Sequence, residues 1–247
     1  IFHDLMKFEV REILIISNLY DAYSLEREGK FSDYILGVYY QLNLTSIPRI
    51  TGVSSFEEAF EKLYSRHFDL IIIMVGVDRK TPMEIASRLK SLYRYIPIYL
   101  LLNNNQYVGY FQAEQRKTSL IDNVFVWNGD SRIFFAMVKQ LEDFVNADND
   151  TRVGYSRIIL LVEDSAKYYS RYIPVLYHCV MEQTRRIIED VSTMDELYKV
   201  LRLRVRPKIL MASNYEEALQ IFDKYKDYFL CLITDVKFEK NSRFDEK

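Results

Sequence analysis

Short runs of aliphatic residues alternate along the chain with longer segments of mixed polar and apolar residues. The strongest runs are Leu70–Val75 and Phe229–Thr234, and two further segments that contain apolar runs, Glu12–Asn18 and Ile158–Asp164, parallel each other. Continuous apolar runs of this length are typical of strands that are covered on both faces. Because helical segments separate the runs, the pattern predicts a parallel sheet with right-handed crossovers.

An internal repeat relates the two halves of the chain. Ser54–Phe60 resembles Ser213–Leu219, and in both a Ser or Asn precedes a Glu at the spacing of a helix capping box. A second strand is predicted in each copy, at Arg49–Val53 and at Lys208–Ala212. Each copy is therefore expected to open with strand, helix, strand, helix and strand.

The first copy continues through the remaining elements of an α/β domain. A helix is predicted over Pro82–Tyr95, strands over Ile98–Leu102 and Asn123–Trp127, and an amphipathic closing helix over Ser131–Val145. The first copy therefore has five predicted strands and about five helices. This arrangement is typical of a three-layer, doubly wound parallel sheet.

The polar segment Asn146–Thr151 is predicted to separate two domains. The first domain would comprise residues 1–150 and the second residues 151–247. The second copy has a longer helical crossover than the first, with an additional helix at Asp195–Leu203. It stops soon after its third strand, and a three-stranded half sheet would leave a hydrophobic edge. We therefore expect residues 151–247 to be the N-terminal part of a domain that continues further.

Three carboxylates follow strands of the second copy. Glu163 and Asp164 come directly after Ile158–Val162, and Asp235 follows Phe229–Thr234. Ligands of open parallel sheets collect at the carboxyl ends of the strands, where these residues are predicted to meet. Hard oxygen donors suit Mg²⁺, and a carboxylate beside such an ion can attack phosphorus. The alternative is that these acidic residues only solvate turns.

With these residues, the second copy resembles response-regulator receiver domains of two-component signal transduction. The resemblance implies a flavodoxin-like receiver fold with Asp235 as phosphoacceptor and Glu163 and Asp164 as the magnesium pair. It implies the backbone carbonyl of Lys237 as a further ligand, and a histidine kinase or other phosphohistidine donor as partner. The family's Ser/Thr and Lys, which follow the fourth and fifth strands, would lie beyond Lys247.

The first copy departs from this pattern at each functional position. Ser17 and Asn18 stand where the acidic pair is expected, Met74 stands in the place of Asp235, and Trp127 stands where a lysine is expected. None of these side chains can accept a phosphoryl group as the aspartate does. The first copy is therefore expected to be a pseudo-receiver, kept for packing or for partner contact.

A second resemblance covers most of the chain. Asn18–Tyr23, Leu161–Ser165 and Arg204–Leu210 look like the N-terminal regulatory region of bacterial phosphoenolpyruvate synthase/pyruvate phosphate dikinase-like proteins. This resemblance implies a parent phosphotransferase whose C-terminal domains, with their ATP-binding and phosphohistidine parts, are partners of this segment. The segment itself carries none of that enzyme's active-site residues and is expected to be non-catalytic.

Composition and charge argue against two classes of partner, nucleic acid and the membrane. The net charge of −2 and the pI near 6.0 give no electrostatic footprint for nucleic acid. No apolar run approaches the length of a membrane span, so a cytoplasmic protein is expected. A basic cluster is predicted to be a solvated face; its members are Arg202, Arg204, Arg206 and Lys208.

Two further features have open interpretations. Cys179 and Cys231 lack metal-ligand spacing and are expected to be small core residues of a reduced protein. One helical face carries a stripe of five residues: Tyr168, Tyr172, Val175, Leu176 and Cys179. This stripe is predicted to be core. The alternative is an aromatic surface for the first copy, for a second copy of the chain in a homodimer, or for another part of the parent enzyme.

Two other functions compete with phosphoryl signalling. In the first, both copies are scaffolding or dimerisation modules and the acidic site is vestigial. In the second, the protein is an enzyme of the haloacid dehalogenase type, which also uses an aspartate at a strand end. That family needs a second aspartate two residues further on, where Lys237 stands here.

Overall fold

A computed structural model describes residues 4–17, 22–41, 47–189, 196–235, 237–240 and 243–246. By its internal contacts the chain divides into two compact units. We call Val10–Phe134 the first unit, and Ile1–Glu9 together with Phe135–Lys247 the second unit. Residues 135–150, which the sequence assigns to the first domain, are thus grouped with the second unit.

The first unit contains a five-stranded parallel sheet. Its strands are β1 (Glu12–Ile16), β2 (Arg49–Val53), β3 (Leu70–Val75), β4 (Ile98–Leu102) and β5 (Asn123–Val126). Their order in the sheet is β2-β1-β3-β4-β5, which is the flavodoxin-like order of a doubly wound fold. Every residue of β3 and β4 is buried, so the centre of the sheet is covered on both faces. The predicted fold class is confirmed.

Helices alternate with these strands. They are α1 (Ala22–Gln41), α2 (Phe56–Ser65), α3 (Lys80–Leu92), α4 (Val108–Lys117) and α5 (Arg132–Gly154). The prediction of five strands and about five helices is therefore confirmed in the described part of the first copy. The largest difference is the length of α5, which continues nine residues beyond the predicted end at Val145.

The predicted polar break at Asn146–Thr151 is wrong, because these residues are helical. Asn146 and Asp150 are buried. The side-chain amide of Asn146 donates to the backbone carbonyl of Phe8 at 2.7 Å, and Asp150 accepts a hydrogen bond from the backbone N–H of Met6 at 2.9 Å. The polar residues Asn146 and Asp150 therefore serve to bind the N-terminal segment, and they do not mark a linker between domains.

The second unit repeats the opening pattern of the first. Its elements are β6 (Ile158–Val162), α6 (Ala166–Glu189), α7 (Glu196–Val205), β7 (Lys208–Ala212), α8 (Tyr215–Tyr225), a 3-10 turn (Lys226–Tyr228) and β8 (Phe229–Thr234). The parallel strand order β7-β6-β8 matches β2-β1-β3 of the first sheet. Two further strands form an antiparallel hairpin, β9 (Lys237–Lys240) and β10 (Arg243–Glu246).

The predicted capping boxes are present in both copies. In α2, Ser55 Oγ accepts a hydrogen bond from the backbone N–H of Glu58 at 3.2 Å. The Glu58 carboxylate in turn accepts one from the backbone N–H of Ser54 at 2.8 Å. The equivalent bonds of α8 join the backbone N–H of Glu217 to Asn214, and that of Ser213 to Glu217, each at 2.8 Å. These bonds satisfy amide groups that a helix start otherwise leaves unpaired.

The basic cluster is a solvated face only in part. Arg202 is exposed, but Arg206 and Lys208 are buried. The guanidinium of Arg206 donates to both carboxylate oxygens of Asp143, at 3.0 and 2.7 Å. The ammonium of Lys208 lies 2.8 Å from a carboxylate oxygen of Asp150. The prediction fails for these two residues because α5 supplies a buried carboxylate to each of them.

Helix α6 buries a different face from the predicted one. Its core residues include Tyr169, Ile173, Tyr177 and Met181. Each of them lies one or two residues after a member of the predicted stripe. Most of the predicted stripe is exposed instead, namely Tyr168, Tyr172, Val175 and Cys179. Cys231 on β8 is also exposed, so the prediction of two core cysteines is wrong.

Candidate functional site

Asp235 lies beside Glu163 at the carboxyl edge of the second sheet. Strands β6 and β8 are parallel neighbours, and their last paired residues are Val162 and Thr234. The backbone N–H of Asp235 donates to the carbonyl of Val162 at 3.3 Å, so the strand pairing continues to this residue. The predicted convergence of the first and third strands is therefore present in the backbone.

Two backbone hydrogen bonds hold Glu163 at this edge. Its N–H donates to the carbonyl of Ala212 at 3.0 Å, which ties it to the end of β7. Its carboxylate accepts a hydrogen bond from the backbone N–H of Ser165 at 3.1 Å. The residue is only 5% exposed. Ser165 is a site residue that the sequence analysis did not identify. It could have been found from its position two residues after Glu163, because a backbone N–H at that spacing can donate to the preceding carboxylate.

The carboxyl groups of the site influence one another electrostatically. The pKa of Glu163 is raised above its ordinary value, first because the group is buried and further because the Asp235 and Asp164 carboxylates carry like charge. The hydrogen bond from Ser165 acts in the opposite direction. All three predicted acidic residues therefore contribute to one field of negative charge. Asp235 is exposed and accessible from solvent.

The donor chemistry of this edge fits a hard divalent cation, which three neighbouring carboxylates would attract. Across the described residues, however, no three His, Cys, Asp or Glu side chains are arranged so that they could hold a metal ion together. Lys237 is the first residue of β9, and Val236, which separates it from Asp235, lies outside the described residues. The magnesium site and the role of the Lys237 carbonyl remain predictions.

The equivalent edge of the first unit has no such acidic set in the positions that are described. Ile16 pairs with Ile73, which places Ser17 beside Met74 in the same way that Glu163 lies beside Asp235. The N–H of Ser17 donates to the carbonyl of Val53 at 3.0 Å, repeating the bond made by Glu163. Asn18 lies outside the described residues.

Trp127 follows β5 in the first unit, where a lysine is expected in the receiver pattern. Its backbone N–H donates to the carbonyl of Leu102 at 2.8 Å, and its ring stacks on Phe134 with 5.0 Å between the centroids. The indole therefore packs against the start of α5. This contact gives Trp127 a packing role.

No protein-family model matches the chain, and no curated protein matches it significantly. Among solved structures, the chain is similar to the signal receiver domain of an HD domain-containing protein from Pseudomonas fluorescens Pf-5. The identity is 16%, the TM-score is 0.38, and the match covers 57% of this chain and 93% of that one. The fold class therefore depends on the observed strand order.

Within the described part of the chain, none of the helices has the length and apolar character needed to cross a membrane.

Proposed function

We propose that the second unit is a receiver-type regulatory module in which Asp235 accepts a phosphoryl group. The observation that carries this proposal is the position of Asp235, which is exposed at the end of β8 and hydrogen-bonded to Val162 beside the buried Glu163. An exposed carboxylate next to a buried acidic partner can be reached by a large donor. It also lies at the sheet edge where doubly wound folds bind ligands.

The proposed reaction is transfer from a phosphohistidine. A carboxylate oxygen of Asp235 attacks phosphorus, an O–P bond forms as the N–P bond breaks, and the imidazole nitrogen keeps the electron pair. Glu163, Asp164, Asp235 and the backbone carbonyl of Lys237 would hold Mg²⁺. When bound, this ion would neutralise charge on the phosphoryl oxygens. In this scheme, Ser165 positions the Glu163 carboxylate through the 3.1 Å hydrogen bond from its backbone N–H.

The proposal extends to the rest of the chain and to its partners. The first unit is a pseudo-receiver that acts by interaction, since Ser17 and Met74 replace the acidic residues. The donor is a histidine kinase or another phosphohistidine protein. The parent is a phosphoenolpyruvate synthase-like phosphotransferase, and its C-terminal domains respond to the state of Asp235. These partners are supported by the sequence resemblances alone.

The proposal is tested by labelling the full-length protein with acetyl phosphate in the presence of Mg²⁺. The wild type is expected to form an acyl phosphate, and Asp235→Asn is expected to form none because the amide is not a nucleophile towards phosphorus. Intact mass spectrometry measures the modification. Asp223→Asn, which changes another acidic residue of the second unit, is the control and retains labelling. Undiminished labelling of Asp235→Asn would refute the assignment.

A second candidate function is a scaffolding module with a vestigial acidic site. It is favoured by the finding that the described residues contain no preformed group of three metal-ligating side chains. If the wild-type protein takes up no phosphoryl group and its NMR spectrum does not change with Mg²⁺, this second function replaces the first.

A further inference from the structure

The N-terminal segment lies against helix α5 and is bound through its backbone. We define the strap as residues 4–9, of which residues 5–9 lie outside regular helices and strands. The side chain of Asn146 binds both polar backbone groups of Phe8. Its oxygen accepts a hydrogen bond from the Phe8 N–H at 2.9 Å, and its amide donates to the Phe8 carbonyl at 2.7 Å. One side chain of the helix thus pairs a complete backbone unit of the strap.

Asp150 extends this pairing along the helix. It follows Asn146 by four residues, so both side chains lie on the same face of α5. Its carboxylate accepts a hydrogen bond from the backbone N–H of Met6 at 2.9 Å. Because Met6 and Phe8 are two residues apart, the helix binds alternate backbone units of the strap.

Further side chains contact the strap from α7 and α5. One guanidinium nitrogen of Arg204 donates to the carbonyl of Leu5 at 3.3 Å, and another lies 3.5 Å from a carboxylate oxygen of Glu9. The side-chain amide of Asn149 donates to the carbonyl of Asp4. Every residue has a backbone carbonyl, and every residue except proline has a backbone N–H. Most of these polar contacts therefore fit a peptide segment whatever its side chains are.

A side chain of the strap is recognised at Leu5, which is only 1% exposed. A methyl group added to Gly154 of α5 would lie 2.7 Å from one methyl carbon of Leu5 and 3.5 Å from one of Val205. Non-bonded carbon atoms do not approach to 2.7 Å, so the glycine provides the space that Leu5 fills. We call the residues that bind the strap the strap groove: Asn146, Asn149, Asp150, Gly154, Arg204 and Val205.

The bound conformation of the strap is strained at Met6. Its φ is 46°, in the left-handed region, where the Cβ atom of a residue other than glycine is crowded. A peptide in solution adopts this conformation rarely. The contacts in the groove offset the strain, and release of the strap relieves it.

We propose that α5 and α7 of the second unit form a peptide-docking groove and that the strap is its detachable ligand. The ligand class is a short peptide segment with a leucine at the position of Leu5. The strap belongs to none of the described sheets, so its release leaves β6, β7 and β8 paired. Burial of Leu5 favours the docked state, and the strain at Met6 opposes it. The proposal does not depend on phosphorylation of Asp235.

The first test is hydrogen exchange of the wild-type full chain, measured by NMR. If the strap detaches by itself, the amides of Met6 and Phe8 exchange through local opening, whereas that of Leu160 in β6 exchanges only when the sheet opens. The strap amides should exchange at least about tenfold faster than that of Leu160. Equal rates would show that the strap opens only together with the sheet and would overturn the proposal.

The second test offers the groove a copy of the strap in trans. In the full chain, Leu5→Asp places a charge in the leucine pocket, and Met6→Pro removes an N–H and excludes a φ of 46°. Each change should release the strap. A fluorescein-labelled peptide with the sequence of residues 2–11 should then bind with a Kd on the order of 100 µM, measured by fluorescence anisotropy. The wild type should bind it at least about tenfold more weakly, because its own strap occupies the groove.

Matched variants identify the binding site. Leu92→Asp changes an exposed leucine of the first unit and should bind no more peptide than the wild type. In the Leu5→Asp chain, Gly154→Val fills the pocket and Asn146→Leu removes both bonds to Phe8, so each should weaken peptide binding at least about tenfold. Circular dichroism verifies that the variants are folded. The proposal is overturned if the strap variants bind no more peptide than the wild type, or if the groove variants bind it undiminished.

Discussion

At the scale of single residues, Asp143 joins three elements of the second unit, α5, α6 and β7, and the turn that precedes β7. It lies on α5 and is fully buried. Its carboxylate accepts hydrogen bonds from the Arg206 guanidinium, from the Tyr177 hydroxyl at 2.9 Å and from the backbone N–H of Ile209 at 3.0 Å. A buried carboxylate is tolerated only with such partners, and its removal leaves a buried guanidinium without a counter-charge.

Asp143→Asn is therefore expected to destabilise the second unit by about 3–5 kcal/mol, the cost of an uncompensated buried charge. Urea denaturation measures this free energy of unfolding. The control is Asp148→Asn, whose carboxylate is 50% exposed and pairs with Lys224 at 2.8 Å. A pair exposed to that extent contributes about 1 kcal/mol or less. Equal losses in the two variants would contradict the role assigned to Asp143.

The pH dependence of the same variants has a definite sign. Burial opposes ionisation of Asp143, but the charges of Arg206 and Lys208 outweigh it and hold the pKa below its ordinary value. A depressed pKa gives stability that is present above the unfolded pKa, about 3.9, and is lost as the pH falls through the folded value. The stability difference between wild type and Asp143→Asn should therefore be large at neutral pH and should shrink on acidification.

Residue-level prediction from the sequence was limited by distance along the chain. Glu163 and Asp235 were recognisable because their position at a strand end is a local property. The environment of Arg206 was not recognisable, since its partner Asp143 lies 63 residues earlier. A sequence in which basic and apolar residues alternate does not show whether the basic side chains pair with buried carboxylates or are solvated by water.

At the scale of elements, α6 shows why periodicity alone does not choose the buried face. Tyr168 and Tyr172 follow helical spacing, and so do Tyr169, Ile173 and Tyr177. The two sets differ by one residue, or about 100° around the helix. Both are apolar, so only packing in the second unit decides which is buried. Start signals were more specific, because the hydrogen bonds of a capping box are local.

Asn214→Ala is expected to destabilise the second unit by about 1 kcal/mol, because the backbone N–H of Glu217 loses its side-chain acceptor at the start of α8. Asn214→Asp keeps an acceptor and should change stability little. Ser55→Ala removes the corresponding bond of α2 and should cost a similar amount in the first unit. Urea denaturation monitored by circular dichroism compares the three. A loss in Asn214→Asp as large as that in Asn214→Ala would show that the cap is not the cause.

At the scale of the whole molecule, the repeat made the fold predictable. Ser17 and Glu163 make the same bond to the second strand of their sheets, and Met74 and Asp235 occupy the same place beside them. Once one copy was recognised as strand, helix and strand, the other followed. The length of α5 was not predictable in this way. Buried polar residues of its C-terminal part bind the N-terminal segment, and this feature has no counterpart in the repeat.

The equivalent strands β3 and β8 differ in protection, and this difference gives a final prediction. Strand β3 pairs with β1 and β4 and is buried along its whole length. Strand β8 pairs with β6 alone among the described strands, and its Leu230 and Leu232 are 57% and 53% exposed. Alternate amide groups of β8 therefore face away from its only described neighbour, and its aliphatic side chains contribute little burial to resist local opening.

Amide hydrogens of Phe229–Thr234 are thus expected to exchange faster than those of Leu70–Val75, by about tenfold or more, since each 1.4 kcal/mol of local stability changes the rate by that factor. Hydrogen exchange with mass spectrometry measures both segments in one experiment, so each strand is the control for the other. Equal protection would mean that a further strand pairs with β8.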